Sequence, residues 1–253
     1  WSALLKRADA MDCEFIATGH YAKIKQNNGR YFVSKGVDPR KDQSYVLWGL
    51  SQECMARTMF PLADLTKDEI RQMSFDWGYE EISKKPESYE ICIVPNNDYR
   101  GFLKRRVPGL AESVQGGTFV DKAGKVLGKH EGYPFYTIGQ RKGLGGGFLT
   151  PKYVTDINPH TNTIVLGESD ELLKNSLLVT QMNHQKYETV PEGKELITMV
   201  RYNDRGTLSE VKKLTDTSYE VEFKANVRGI APGQSAVIYE GEDVIAGGII
   251  QKR

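Results

Sequence analysis

The chain has 253 residues, 39% hydrophobic and 26% charged, a balance that excludes disordered, fibrous and disulfide-stapled classes. Its formal net charge is +1, so any surface for a polyanion must be a local patch. The cysteines, Cys13, Cys54 and Cys92, lie far apart without metal-site spacing, which points to a reducing, cytoplasmic setting; no apolar run reaches membrane-spanning length and no signal peptide is visible.

The chain opens at Trp1 inside a helical pattern, with Leu4, Leu5, Ala8 and Met11 on one face, and residues ahead of Trp1 are expected. The short apolar segment Cys13–Thr18 reads as a strand of a parallel α/β sheet. Gly19-His20 then falls past its carboxyl end, where open α/β sheets bind ligands. Glycine there permits close approach of a phosphate or adenine, and a plain βα turn uses the same residues. Tyr21–Gly36 is a predicted hairpin around Asn27-Asn28-Gly29. The polar stretch Asp38–Tyr45 leads to a helix predicted over Tyr45–Leu50, with Lys41, Asp42 and Gln43 either a helix start or a contact loop. Ser51-Gln52-Glu53 opens a second short helix on which Cys54 packs. Asp64–Trp77 is predicted helical, with Leu65, Ile70, Met73 and Trp77 on one side and a stop at Gly78.

Cys92 sits in the apolar run Ile91–Val94, before a polar turn and the cations Arg100, Lys104, Arg105 and Arg106, the last three on a short basic helix predicted from Gly101 and closed by Pro108. A thiol, a loop and cations this close suit sulfur chemistry on a polyanion, and a buried small hydrophobe fits the same run. Hairpins are predicted over Gly117–Gly128 and Tyr153–Gly167. Between them, the β-prone Tyr133–Ile138 runs into Gly139–Gly147, a glycine-rich loop around Arg141 and Lys142 that is either a phosphate approach or a flexible hairpin loop. His130, His160 and His184 read as surface or turn residues. From Leu173 the pattern is all-β. Tyr219, Val221 and Phe223 alternate with Glu220, Glu222 and Lys224, and Ser235–Tyr239 and Val244–Ile250 flank a turn, as in a small barrel.

Six segments then carry a resemblance in order along the chain: Ala17–Ala22, Lys41–Tyr45, Phe60–Lys67, Glu90–Ile93, Tyr136–Gly145 and Ala231–Val237. Together they resemble the tRNA-specific 2-thiouridylases (the MnmA/TrmU family) along essentially the whole chain. The resemblance implies an α+β multidomain fold. Residues 1–98 would be the C-terminal part of an α/β ATP-binding domain of the adenine-nucleotide-hydrolase type, 99–171 a small central β-rich tRNA-binding domain, and 172–253 a C-terminal β-barrel. It implies ATP-dependent 2-thiolation of the wobble uridine of tRNA: ATP adenylates the C2 oxygen, and persulfide sulfur on Cys92 replaces it. Gly19 would contact ATP, with Mg as counter-ion and no tightly bound metal. His20, Lys41, Asp42, Gln43, Arg201, Tyr202 and Gln234 would meet tRNA. The sulfur donor would be a cysteine desulfurase or a sulfur-relay protein, and no membrane is involved. The family's Gly-Gly-Val-Asp-Ser ATP loop, and the Asn-Pro-Cys whose cysteine releases sulfur through a disulfide, do not occur in this sequence. This chain alone is therefore expected not to thiolate. Where family segments often read Gly-Ile-Cys-Phe, this one reads Glu90-Ile91-Cys92-Ile93. The alternative is a tRNA-binding module without chemistry; a third reading is a barrel scaffold for protein partners.

Neighbouring cations favour the thiolate or persulfide anion, and Arg100 with Lys104–Arg106 could supply them while pairing with phosphates. The target base must leave its stack, and Tyr45, Tyr99 or Tyr136 could hold it, core packing being the commoner use of each.

Overall fold

Leu5 and Ala8 bury one side of α1 (Ser2–Ala10), while Leu4 and Met11, read onto the same face, stay exposed. The structure is a computed structural model that describes residues 1–85, 94 and 98–252; Cys92 and its neighbours Glu90, Ile91 and Ile93 lie outside the described residues. The predicted strand is confined to β1 (Ile16–Ala17). The hairpin forms as expected from β2 (Ala22–Asn27) and β3 (Arg30–Lys35). Asn28 (φ 48°) and Gly29 (φ 76°) both take the left-handed conformation that a tight two-residue turn requires.

The helix predicted over Tyr45–Leu50 is one 3-10 turn, Ser44–Leu47, with no side-chain cap from Gln43. Tyr45 and Leu47 of this turn enter the core together with Leu50, while Val46 stays exposed. Helix α2 (Gln52–Ala56), capped by Ser51, buries Cys54 and Met55. Strand β4 (Thr58–Met59) pairs in parallel with β1, Ile16 opposite Thr58. Helix α3 (Lys67–Asp76) starts later than Asp64 because Thr66 and Glu69 form a reciprocal capping box. Neither α3 nor α4 (Glu80–Lys84) has a fully buried residue, and Trp77 is 68% exposed.

Asp98 accepts from the Gly101 N–H and caps α5 (Tyr99–Arg106), the predicted basic helix; α6 (Leu110–Ser113) follows. Strands β5 (Gly117–Val120), β6 (Val126–His130), β7 (Tyr153–Asn158) and β8 (Thr163–Gly167) make a sheet in the order β6-β5-β8-β7, with β5 and β8 parallel. Both predicted hairpins are present. Tyr133–Phe135 is a 3-10 turn and not a strand, since Pro134 has no N–H for a ladder. Phe119, Phe135, Tyr136, Leu144, Val154, Ile164 and Leu166 fill the core of this part. His130 is buried in it, against Phe119 and Tyr136 at 5.0 and 5.3 Å between ring centroids, and so is no surface residue. Its polar, glycine-rich neighbours had suggested a turn.

The last part is all-β, as the alternation predicts: β9 (Leu173–His184), β10 (Leu196–Met199), β11 (Thr207–Lys213), β12 (Ser218–Arg228), β13 (Ser235–Glu240) and β14 (Asp243–Gln251). The order β13-β10-β11-β12-β9-β14 closes through β13–β14 pairing into a barrel. Tyr219, Val221 and Phe223 point into it. His184 is half-buried on β9 and bonds the Tyr219 hydroxyl at 3.1 Å, while His160 is exposed. The β2–β3 hairpin joins the same sheet, Ser34 opposite Asp243 on β14.

The chain forms two compact units. The first comprises Trp1–Lys85, Asn175–Ala225 and the residues from Pro232 onward; the second comprises described residues between 94 and 174 together with Asn226–Ala231. Residues of the expected first and third domains thus share one unit, and one core holds Leu5, Val33, Leu47 and Met55 beside Val237, Tyr239 and Val244.

Candidate nucleic-acid interface

In the first unit the polar stretch after β3 is an irregular loop, tied down by its own acids. Asp42 accepts from the backbone N–H of Gly36 (3.1 Å) and Ser44 (3.3 Å) and from the Ser44 hydroxyl (2.7 Å). Gln43 exchanges two bonds with Tyr21: its side-chain oxygen accepts from the Tyr21 N–H, and its own N–H reaches the Tyr21 carbonyl. Asp42 and Gln43 therefore shape the loop through their side chains, while its cations are Arg40, paired with Asp38 and Asp68, and half-buried Lys41. The same exchange sets the loop beside His20. The His20 ring lies 5.4 Å from Trp1 and 5.7 Å from Phe60, bonds the Thr18 hydroxyl, and is held below the ordinary imidazole pKa by burial.

Tyr45 links this loop to the barrel. Its hydroxyl donates to the Ser235 carbonyl at 2.8 Å, and Trp48 donates to the Ser235 hydroxyl at 2.9 Å. Gln234 is exposed next to that anchor, its carbonyl accepting from the Ile250 N–H at 2.8 Å. The Tyr202 ring packs edge-on against Tyr45 at 6.2 Å, and its hydroxyl donates to the Asp42 carbonyl at 3.0 Å. Burial, then the Asp204 charge, pushes the Tyr45 phenol up to about 12, with Arg201 opposing. Lys41 likewise opposes the rise at Tyr202 that burial and Asp42 cause. His20, Lys41, Asp42, Gln43, Arg201, Tyr202 and Gln234, drawn from four separate sequence segments, thus gather on one unit. Sequence reasoning did not single out Ser235, the acceptor that joins loop to barrel; no local pattern marks it. Arg205 and Lys35, which line a cleft beside Tyr202, were missed as well.

Gly19 is exposed after β1, and a Cβ there would meet only Leu62 Cδ1 at an ordinary 3.6 Å. Its conformation is not left-handed, so nothing within the chain requires glycine at this position. In the second unit the cations of α5 are mostly engaged. Arg100 (3.8 Å) and Lys104 (3.5 Å) face Glu131, Arg105 faces Asp98, and Arg100 lies over the Tyr136 ring. Arg141 and Lys142 are exposed, with no partner among the described residues, on a loop where Gly139, Gly143, Gly145 and Gly147 all have positive φ. Cys13 is an exposed free thiol and Cys54 a buried one. Among the described residues no group of His, Cys, Asp and Glu is arranged to hold a metal, and no helix is long and apolar enough to cross a membrane.

Three family models match the chain in succession. A tRNA methyl transferase HUP domain matches residues 1–96, a tRNA methyl transferase PRC-barrel domain residues 100–168, and an aminomethyltransferase beta-barrel domain residues 174–250. They bear out the expected α+β multidomain class. Among curated relatives, the tRNA-specific 2-thiouridylase MnmA of Cytophaga hutchinsonii is 55% identical over 252 residues, covering 99% of this chain and 68% of that protein. The proteins of that name from Amoebophilus asiaticus and Salinibacter ruber are 54% and 49% identical over 99% and 100% of this chain. This chain spans 67% and 66% of those two relatives. The chain belongs to the tRNA-specific 2-thiouridylase family.

Proposed function

We propose that the chain is the tRNA-holding and sulfur-carrying part of an ATP-dependent tRNA uridine 2-sulfurtransferase, with residues 1–98, 99–171 and 172–253 as its domains. The observation that carries this reading is the gathering of Lys41–Gln43, Arg201-Tyr202 and Gln234 around Tyr45, in a chain 55% identical to a protein named a tRNA-specific 2-thiouridylase. Lys41 and Arg201 supply charge for phosphate, and Tyr202 a flat ring for a base or sugar.

Gly19, with its exposed backbone, would meet ATP, which with Mg would supply the adenylyl group that makes the C2 oxygen of uridine a leaving group. The residues of this chain then have to orient and stabilise charge more than move protons. His20 is kept neutral by burial, so it offers a hydrogen bond rather than a charge at the carboxyl end of β1. Cys92 carries the sulfur as a persulfide received from a desulfurase or relay protein.

In the intact protein that contains this chain, Cys92→Ser is expected to abolish 2-thiouridine formation while leaving tRNA affinity near wild type. Mass spectrometry of digested tRNA reads thiolation and methylation separately, so it also tests the methyl transfer for which two of the matching family models are named. Thiolation retained in Cys92→Ser would remove the sulfur-carrying role. A chain that binds tRNA in a salt-sensitive way and never supports thiolation would be the module without chemistry.

A further inference from the structure

A hydrogen-bonded pair of side chains, Thr18 and His20, stands just past the carboxyl end of β1. The Thr18 N–H donates to the Met59 carbonyl at 3.1 Å, which carries the β1–β4 pairing one residue further and holds the Thr18 backbone. Thr18 is also β-branched, so its hydroxyl has few directions to take. The His20 ring is held on two sides, 5.4 Å from Trp1 and 5.7 Å from Phe60 between centroids. Trp1 is itself anchored. Its indole N–H donates to the Thr58 hydroxyl at 2.8 Å, and that hydroxyl donates to the Cys54 carbonyl at 2.6 Å. Packing therefore sets the plane of the imidazole. Its Nδ1 lies 2.9 Å from the Thr18 Oγ1, while its Nε2 takes no partner among the described residues and keeps contact with solvent.

Burial holds this ring below the ordinary imidazole pKa, and no charge among the described residues contributes. A neutral imidazole has one N–H, so whether Nε2 donates or accepts is decided at Nδ1. The Thr18 hydroxyl has no other partner among the described residues. Donation to Nδ1 places its one proton on a strong acceptor. Acceptance from Nδ1–H would leave that proton to solvent and strip Nε2 of its own. We infer that Thr18 is the positioning residue of His20: its hydroxyl donates to Nδ1, fixes the tautomer that carries the proton on Nε2, and so presents His20 as a neutral N–H donor to an oxygen of the bound tRNA. The inference rests on the proposed meeting of His20 with tRNA. What it adds is the tautomer and the residue that sets it.

Nitrogen-15 NMR of the intact protein with labelled histidine reads the tautomer, the His20 signals being those lost in His20→Gln. At about pH 8, above the ordinary imidazole value, wild type should carry the proton on Nε2 and show Nδ1 as a hydrogen-bond acceptor. Thr18→Val, which keeps the branched shape, should give a mixture of both tautomers. It should also weaken tRNA binding about fivefold in fluorescence anisotropy, as the loss of one hydrogen bond does. Thr18→Ser, which keeps the hydroxyl, should restore the wild-type tautomer and bind within about twofold of wild type. A proton on Nδ1 in wild type overturns the inference without any variant. So does an unchanged tautomer or an unchanged affinity in Thr18→Val, or an equal loss of affinity in Thr18→Val and Thr18→Ser, which would leave Thr18 a purely structural part. Wild type that binds no tRNA overturns the proposed function and the use made of His20 together, whatever its tautomer.

Discussion

Asp38 is 1% exposed and its carboxylate organises everything around it. It accepts from the Lys67 N–H at the start of α3, from the Arg40 N–H, and from the Arg40 guanidinium. The Lys67 bond does most to hold its pKa below the ordinary carboxylate value, against the opposing effect of burial. The stability it contributes is therefore present above about pH 4 and is lost as pH falls through the lower folded-state value. Asp38→Ala leaves two backbone donors and a guanidinium without their acceptor, and should cost about 2–3 kcal/mol in urea unfolding. His130 acts in the same direction at higher pH. Its Nδ1 accepts from the Gly132 N–H at 3.0 Å, and burial lowers its pKa. The folded chain resists protonation that the unfolded chain accepts below about pH 6.5, so stability falls as pH drops from there toward the folded value. His20 and His184 are shifted in the same direction, also by burial. His130→Gln should flatten part of that acid loss, seen in melting temperatures between about pH 7.5 and 5.5; an unchanged slope would show that His130 does not titrate with unfolding.

Strand β14 shows how an element positions the interface. Its Gly247 faces Trp48, and a Cβ there would stand 2.7 Å from the Trp48 Cβ and Cγ atoms. The bare backbone lets the 44–50 segment lie flat on the barrel. Buried Gln185 then staples it, donating to the Leu47 and Trp48 carbonyls and accepting from the Val33 N–H. Asn183 donates to the Trp48 and Leu50 carbonyls. Gly247→Ala must displace Trp48, and with it the Tyr45 and Trp48 bonds to Ser235. We expect a cost of about 1–3 kcal/mol in stability together with weaker tRNA binding. Tyr202→Leu, which removes the ring without displacing Trp48, should cost less stability while weakening tRNA binding, so the pair separates a lost platform from a lost contact. Elements of this kind were legible in the sequence where the signal is local. Asn28-Gly29 marked the hairpin, the alternation at Tyr219, Val221 and Phe223 marked the barrel, and the cations marked α5. The 44–50 segment was not, because its form is decided by Gly247, Asn183 and Gln185, more than a hundred residues away. Burial of His130 was hidden for the same reason: Phe119 and Tyr136 enclose it, and its immediate neighbours are glycine, lysine and glutamate.

Across the whole molecule, four segments that form the candidate interface could be named from the resemblance, but their meeting could not be derived from spacing. Closure of the barrel and pairing of β3 with β14 bring them together, both long-range events. That the side chains of Asp42 and Gln43 hold the loop was equally hidden, since their partners include Tyr21 and Gly36. Charge is the remaining property of this scale. At +1 overall the chain attracts a polyanion only where cations are unopposed. The α5 cluster looked strongest in sequence, yet Glu131 and Asp98 face three of its four cations. Arg141 and Lys142 carry no such acid partner among the described residues, and the glycines around them let backbone N–H groups approach a phosphate. The double variant Arg141→Gln/Lys142→Gln should therefore lower tRNA affinity about tenfold at low salt and reduce the salt slope by about two. Lys104→Gln, which removes a cation already facing Glu131, should change the slope by well under one. A larger effect from Lys104 than from the loop pair would mean that the tRNA displaces Glu131 and reads the helix instead.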